Sequence, residues 1–257
     1  MMITHCNRIR LTFLFFVFLA VVVLTCDSSD PPAFPGANPN ETAQLGRENA
    51  EAELAALWLS GELTAPEALY QSIKEDLLDI RAAYADSIAQ LAIEFFPPWE
   101  PSQVLVGFTQ SGVEKLRAGN YPEFEELNDL FHLAELDTKF HWHSPLAILT
   151  FEGRQHPARI AAPYESLDDV RYAEPNGFVG DWGNVYPWRL DDGMSYLWRD
   201  AWGDCPAGCI NSRFWYFRVT DAGIEYVGTF EKWVDPEPSW WGEAKAAYFR
   251  YRNWHYE

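Results

Sequence analysis

Apolar positions fall into three kinds of run along this chain: an unbroken stretch at the N-terminus, helical spacings up to about residue 91, and short or alternating runs beyond 102. The segment "ENAEAELAALWL", Glu48 to Leu59, predicts a helix that Gly61 ends. A second helix is expected to open at Thr64-Ala-Pro-Glu67, read as a capping box in which Thr64 accepts an orphan N–H and Glu67 reaches back. Leu69, Ile73, Leu77, Ile80, Tyr84, Ile88 and Leu91 recur at threes and fours, which predicts one continuous apolar stripe. The two helices should make an antiparallel hairpin over residues 47–96 that packs on something else. "FFPPWEP", Phe95 to Pro101, cannot continue a helix and marks its boundary.

"SQVLVGF", starting at Ser102, reads as a buried strand. "SGVEKLRAGNYPEFEELNDLF", Ser111 to Phe131, is helical apart from a break at Gly119-Asn120. Strands near Leu133 to Trp142 and Pro145 to Phe151 precede a short helix around Ala158 to Ser166 and a last strand, "DVRYAEPN". Over residues 102–178 the order is β-α-β-β-α-β, the split βαβ plan of a ferredoxin-like sandwich. From 179 to 257 aromatics dominate. Met194 to Trp198, Arg213 to Val219 and Ile224 to Phe230 predict an antiparallel β meander, with turn chemistry at Thr220 to Gly223. "GEAKAAYFRYRNWHYE" closes the chain as a short helix with Ala244, Ala247, Tyr248 and Tyr251 on one face. The expected class is α+β: helical hairpin, ferredoxin-like sandwich, aromatic-rich meander.

That element order, together with "YESLDDVRYAEPN" (Tyr164 to Asn176), resembles the propeptide inhibitor domain of subtilisin-type proteases. The resemblance covers residues 102–178 and implies an exported serine protease, or another envelope protein, as partner. Propeptides of that family pack their sheet on the enzyme and lay the tail after the last strand along the substrate cleft. Here the resemblance places the tail at Tyr172, Ala173, Glu174, Pro175 and Asn176, with Gly177 giving the backbone room to turn. The segment after residue 178 does not read as a subtilisin-type catalytic domain. From "WLSGELTAPEALY" through "PPWEP" to "GDCPAGCI" the chain also resembles a recurring family of exported bacterial lipoproteins.

The N-terminus bears on address. Arg8 and Arg10 precede the apolar run Leu11 to Leu24, which reads as a secretory signal over residues 1–25. Val23-Leu24-Thr25-Cys26 resembles the lipobox of bacterial lipoproteins, which makes Cys26 the expected acylation site and lipid anchor. Cysteine arithmetic agrees: Cys6 leaves with the signal, and pairing Cys205 with Cys209 strands Cys26 as an odd thiol unless it is acylated. Without acylation the protein is expected to be secreted. Residues 26–46, rich in Pro, Ser, Asn and Gly, read as a flexible tether. A formal net charge of −19 repels phosphate backbones and argues against nucleic acid as a partner.

Motifs that carry chemistry are few. Cys205-Pro-Ala-Gly-Cys209 has three residues between its cysteines, unlike a Cys-x-x-Cys redox motif, and lacks the second pair that structural zinc needs. In an exported protein it reads as a disulfide staple. Asp191, Asp192, Asp200 and Asp204 read as turn residues, with calcium the alternative. His141 and His143 alternate on a strand, with Glu152 and His156 downstream, but no third ligand lies beside them and no metal is assigned. No nucleophile elbow, zincin motif or phosphate loop occurs, so no catalytic residue and no cofactor is assigned. Most C-terminal aromatics read as sheet core. Trp240 and Trp241, beside Pro236 and Pro238, are the expected exposed pair for partner contact. The expectation is a noncatalytic, exported, lipid-anchored binding module. The alternative is a secreted hydrolase or carbohydrate-binding protein using the aromatic sheet.

Overall fold

A computed structural model describes residues 47–141 and 144–254, without the side chains of residues 139–141 and 144. The expected signal, Cys26 and the tether lie outside the described residues, as does His143. Among the described residues no helix is long and apolar enough to cross a membrane.

The first two helices are α1 (Ala50–Ser60) and α2 (Glu67–Tyr84). The Asn49 side chain accepts from Ala52 N at 3.0 Å and caps α1, while Gly61, at φ +62°, takes the left-handed conformation that ends it. The expected capping box does not form. Pro66 stands at the cap position with no side-chain bond, because the residue before a proline is pushed out of the helical region and the helix cannot start at Thr64 or Ala65. Glu67 instead accepts from Gln71 and pairs with Arg47. The apolar stripe also breaks: α2 stops at Tyr84, and Leu91 reaches the core from a 3-10 turn, Ala89–Ala92, that Ile88 precedes. Arg81 donates to the carbonyls of Leu91 at 2.7 Å and Ile93 at 3.0 Å, which folds the chain back along α2.

Next come β1 (Trp99–Phe108), α3 (Gln110–Ala118), α4 (Pro122–Leu130), β2 (Leu133–His141), β3 (Ser144–Phe151), α5 (Pro157–Glu165) and β4 (Val170–Gly177). The four strands form an antiparallel sheet in the order β2-β3-β1-β4, the ferredoxin-like arrangement, with two helices rather than one in the first crossover. Gly119, at φ +61°, separates α3 from α4 as expected. Val104, Val106, Phe108, Ala147, Leu149 and Phe151 face the helices and share one core with Val113, Phe124, Ile160 and Tyr164.

The remaining strands are β5 (Asn184–Leu190), β6 (Gly193–Trp202), β7 (Asn211–Thr220) and β8 (Gly223–Glu231), a four-stranded antiparallel meander, followed by α6 (Trp241–Arg252). Both faces of this sheet are covered, so β6 is buried almost continuously instead of alternating. Met194, Tyr196, Trp198, Trp215 and Phe217 pack on Leu69, Ile73, Leu77 and Ile80 of the hairpin. Tyr186, Trp188, Phe214 and Tyr216, on the other face, pack on Trp241, Ala244 and Tyr248 of α6. The hairpin and the C-terminal sheet therefore make one three-layered lobe, and the ferredoxin-like lobe is an insertion between them. Its two ends meet where Trp99 pairs with Gly177 and Phe178 N donates to Pro98 O at 3.2 Å.

Candidate functional site

Two surfaces stand out. The first is a cavity of about 140 Å³ where the segment after β4 runs between β5 and the end of α6. Phe178, Trp182, Tyr186, Tyr251 and Trp254 give it aromatic walls, and Asp181, Asn184 and Arg252 supply polar groups.

Arg199 lies behind it, fully buried in the middle of β6. A guanidinium there is tolerable only if every donor finds a partner. Its Nη1 and Nη2 donate to the two oxygens of Asp181 at 2.5 and 2.7 Å, and its Nε donates to Ser212 Oγ at 2.9 Å. The Trp182 carbonyl, at 3.2 Å, accepts from Nη1 as well. Asp181 also ties down the loop of the Cys205–Cys209 disulfide: Asp181 N donates to Cys205 O at 2.9 Å, and Cys209 N donates to Asp181 Oδ2 at 3.3 Å. Burial pushes the Asp181 carboxyl up, but the bonds and charge of Arg199, with the charge of Arg252, outweigh it and hold the group below its ordinary value. Burial raises the Tyr186 and Tyr251 hydroxyls well above the usual tyrosine range, so both stay protonated. A carboxylate locked to an arginine is a poor general base, and among the described residues no histidine lines this cavity.

The second surface is the open face of the ferredoxin-like sheet. All three helices of that lobe pack on the opposite face. Leu105 pairs with Ile148 and with Glu174, and the next outward row pairs Gly107 with Leu146 and Tyr172. The Tyr172 ring lies directly over Gly107, where a Cβ would fall 2.2 Å from its Cε1. Leu105, Leu146, Ile148 and Tyr172 are half-buried and belong to none of the chain's core clusters.

Tyr172 to Asn176 are thus the edge strand itself and not a free tail: Tyr172, Ala173, Glu174 and Pro175 pair with Gly107, Val106, Leu105 and Val104 of β1. Main-chain bonding to β1 uses the groups on one side of this strand, and only its outer edge is left to pair with another chain. Trp240 and Trp241 are not an exposed pair either. Trp241 is 6% exposed and packs on Phe214 and Phe230, because the Pro-rich turn folds back to start α6 on the sheet; Trp240 is half-buried against Tyr216. Trp233, in the turn before them, is 75% exposed. Asp191 and Asp192 form the β5–β6 turn, and Asp204 precedes the 3-10 turn that holds Cys205. His156 is a buried cap of α5, its Nδ1 accepting from Ala158 N at 3.3 Å. Among the described residues no group of three or more His, Cys, Asp or Glu is placed to hold a metal ion. Comparison with family models, curated proteins and solved structures finds no match.

The cavity residues escaped sequence reasoning because they come from three distant segments. The available signal was Arg199 itself, a charge inside the aromatic run of β6 that demands a buried carboxylate partner.

Proposed function

We propose that this is a noncatalytic binding module of the cell envelope, exported by its N-terminal signal and anchored through Cys26, which holds a partner protein on the open face of its ferredoxin-like sheet. The observation that carries this reading is the uncovered row of Leu105, Leu146, Ile148 and Tyr172 on a sheet whose other face is fully packed. Contiguous apolar faces rimmed by polar residues, here Glu135 and Glu174, are the kind of surface that marks protein contact sites. The resemblance to subtilisin-type propeptides points to an exported serine protease as partner, and the sheet face is the surface that such propeptides apply to the enzyme. The β4 edge then sits beside the contact, available for strand addition.

The test is a titration of the purified protein against exported serine proteases, following both complex formation and inhibition. Binding at about micromolar strength, weakened at least about tenfold by Leu105→Arg combined with Ile148→Arg, supports the reading. No complex with any of the proteases counts against a protease partner. Fractionation of wild type against Cys26→Ser tests the anchor, and equal release of the two forms removes it.

A further inference from the structure

The cavity beside Asp181 carries an inference that is independent of the open sheet face. Its hydrogen-bonding capacity is one-sided. Both oxygens of Asp181 are consumed by Arg199, and they also accept from Trp182 N and Cys209 N. The Asn184 amide is spent as well: its oxygen accepts from Phe96 N and Val185 N, and its nitrogen donates to Phe96 O. The Tyr251 hydroxyl donates to Phe96 O at 2.5 Å. Arg252 differs. Its Nη1 donates to Tyr248 OH at 2.9 Å and lies 3.8 Å from Asp181 Oδ2, while its side chain remains 42% exposed at the cavity wall.

Charge points the same way. Two guanidiniums, Arg199 and Arg252, meet one carboxylate, Asp181, and the bidentate geometry commits that carboxylate to Arg199. Among the described residues these three groups therefore leave one net positive charge beside the cavity, in a chain whose formal net charge is −19. A guanidinium with spare donors, set between aromatic faces, recognises a carboxylate joined to a flat or ring-shaped body. The volume limits that body to about one six-membered ring.

We infer that this cavity binds a small molecule made of one six-membered ring bearing a single carboxylate, the carboxylate on Arg252 and the ring against Trp182 and Tyr251. The ring can come from an acidic sugar or from an aromatic acid, and the choice of probes separates the two. Calorimetric titration of the purified protein uses glucuronate and benzoate, each beside its neutral counterpart, glucose and benzyl alcohol. At least one acid is expected to bind about tenfold or more tightly than its counterpart. Glucuronate alone identifies a sugar site, and benzoate alone an aromatic-acid site. Arg252→Gln should abolish the preference for the acid, and Arg252→Lys should keep part of it. Trp182→Ala should weaken the acid that binds, and thermal melts of all three variants check folding. The inference is overturned if neither acid binds up to about 10 mM, if the neutral counterparts bind equally well, or if folded Arg252→Gln binds the acid unchanged.

Discussion

Arg154 donates to Glu53 Oε2 at 2.6 Å across the junction of the two lobes, joining the loop after β3 to a carboxylate of α1 that is 0% exposed. The same arginine reaches Arg47 O at 3.4 Å, and His156 N donates to Leu63 O beside it at 2.9 Å. The inserted lobe is thus tied to the hairpin by polar bonds of its own loop, beside Trp99 at the start of β1, which is buried in the hairpin's core cluster.

A buried carboxylate that loses its counterion is left uncompensated, which costs more than the pair contributes when intact. Arg154→Ala should therefore destabilise the protein by about 3 kcal/mol. Replacing both partners, Glu53→Leu with Arg154→Met, should recover most of that loss. Urea denaturation of the four forms of this cycle measures it, and a double variant no more stable than Arg154→Ala would show that the pair is not the source.

The Cys205–Cys209 disulfide closes a loop of five residues, counting both cysteines. So short a loop removes little entropy from the unfolded chain, about 2 kcal/mol in the chain-entropy model. Its larger effect is local, because both ends of the bridge bond to Asp181. Mass measurement should find the two thiols alkylated only after reduction. Cys205→Ser with Cys209→Ser should lower stability by about 2 kcal/mol or less and loosen the cavity more than the core, read by hydrogen exchange at Asp181 and Trp182.

The ferredoxin-like lobe was legible because its signals are local. Val104, Val106 and Phe108 alternate inward, Gly119 breaks the crossover helix, and each strand pairs with one that its own connections make reachable. The stripe Leu69, Ile73, Leu77 and Ile80 announced that the hairpin packs on something. Its partners, Tyr196, Trp198 and Phe217, lie more than 110 residues further on, and no spacing rule names a partner at that distance. The continuous burial of β6 was the usable clue, since a strand apolar on both faces must be covered twice. Tyr172 to Asn176 were legible as the last strand of the lobe, but the tail that the propeptide resemblance places on the same residues is at odds with their pairing to β1. The burial of Trp241 is illegible in the sequence for a related reason: Pro236 and Pro238 signal a turn, and a turn says nothing about which neighbour the next helix presses onto the sheet.

His156 is buried against Trp99, ring centroids 4.9 Å apart, and burial with the nearby charge of Arg159 lowers its pKa from 6.5 to about 4. Between those values the unfolded chain binds a proton that the folded protein refuses, so acid favours unfolding. Stability should be level above pH 6.5, fall as the pH drops through that value, and level again near the folded pKa, having lost about 3 kcal/mol from this group. His156→Gln keeps an acceptor for Ala158 N and removes the titration. Urea midpoints measured from pH 7 to 4 should fall less steeply in the variant, and equal slopes would assign the acid sensitivity to the carboxylates instead.

Trp241 and Trp233 occupy opposite environments eight residues apart. Trp241 touches Phe214 at a centroid distance of 4.7 Å and Phe230 at 4.9 Å in the core under α6. Trp233 is 75% exposed, with its indole N–H on Ile210 O at 3.2 Å and the Lys232 ammonium 4.6 Å from its ring. Truncating the first opens a cavity in a packed aromatic cluster, so Trp241→Ala should cost about 3 to 5 kcal/mol. Trp233→Ala should change stability by no more than about 1 kcal/mol, since it exchanges one exposed hydrogen bond for a smaller exposed side chain. Acrylamide quenching distinguishes the two without unfolding anything: Trp233→Phe should remove a large share of the quenchable fluorescence, and Trp241→Phe should leave that share intact. Had the Pro-rich turn displayed Trp241 to solvent, the two variants would give the reverse pattern.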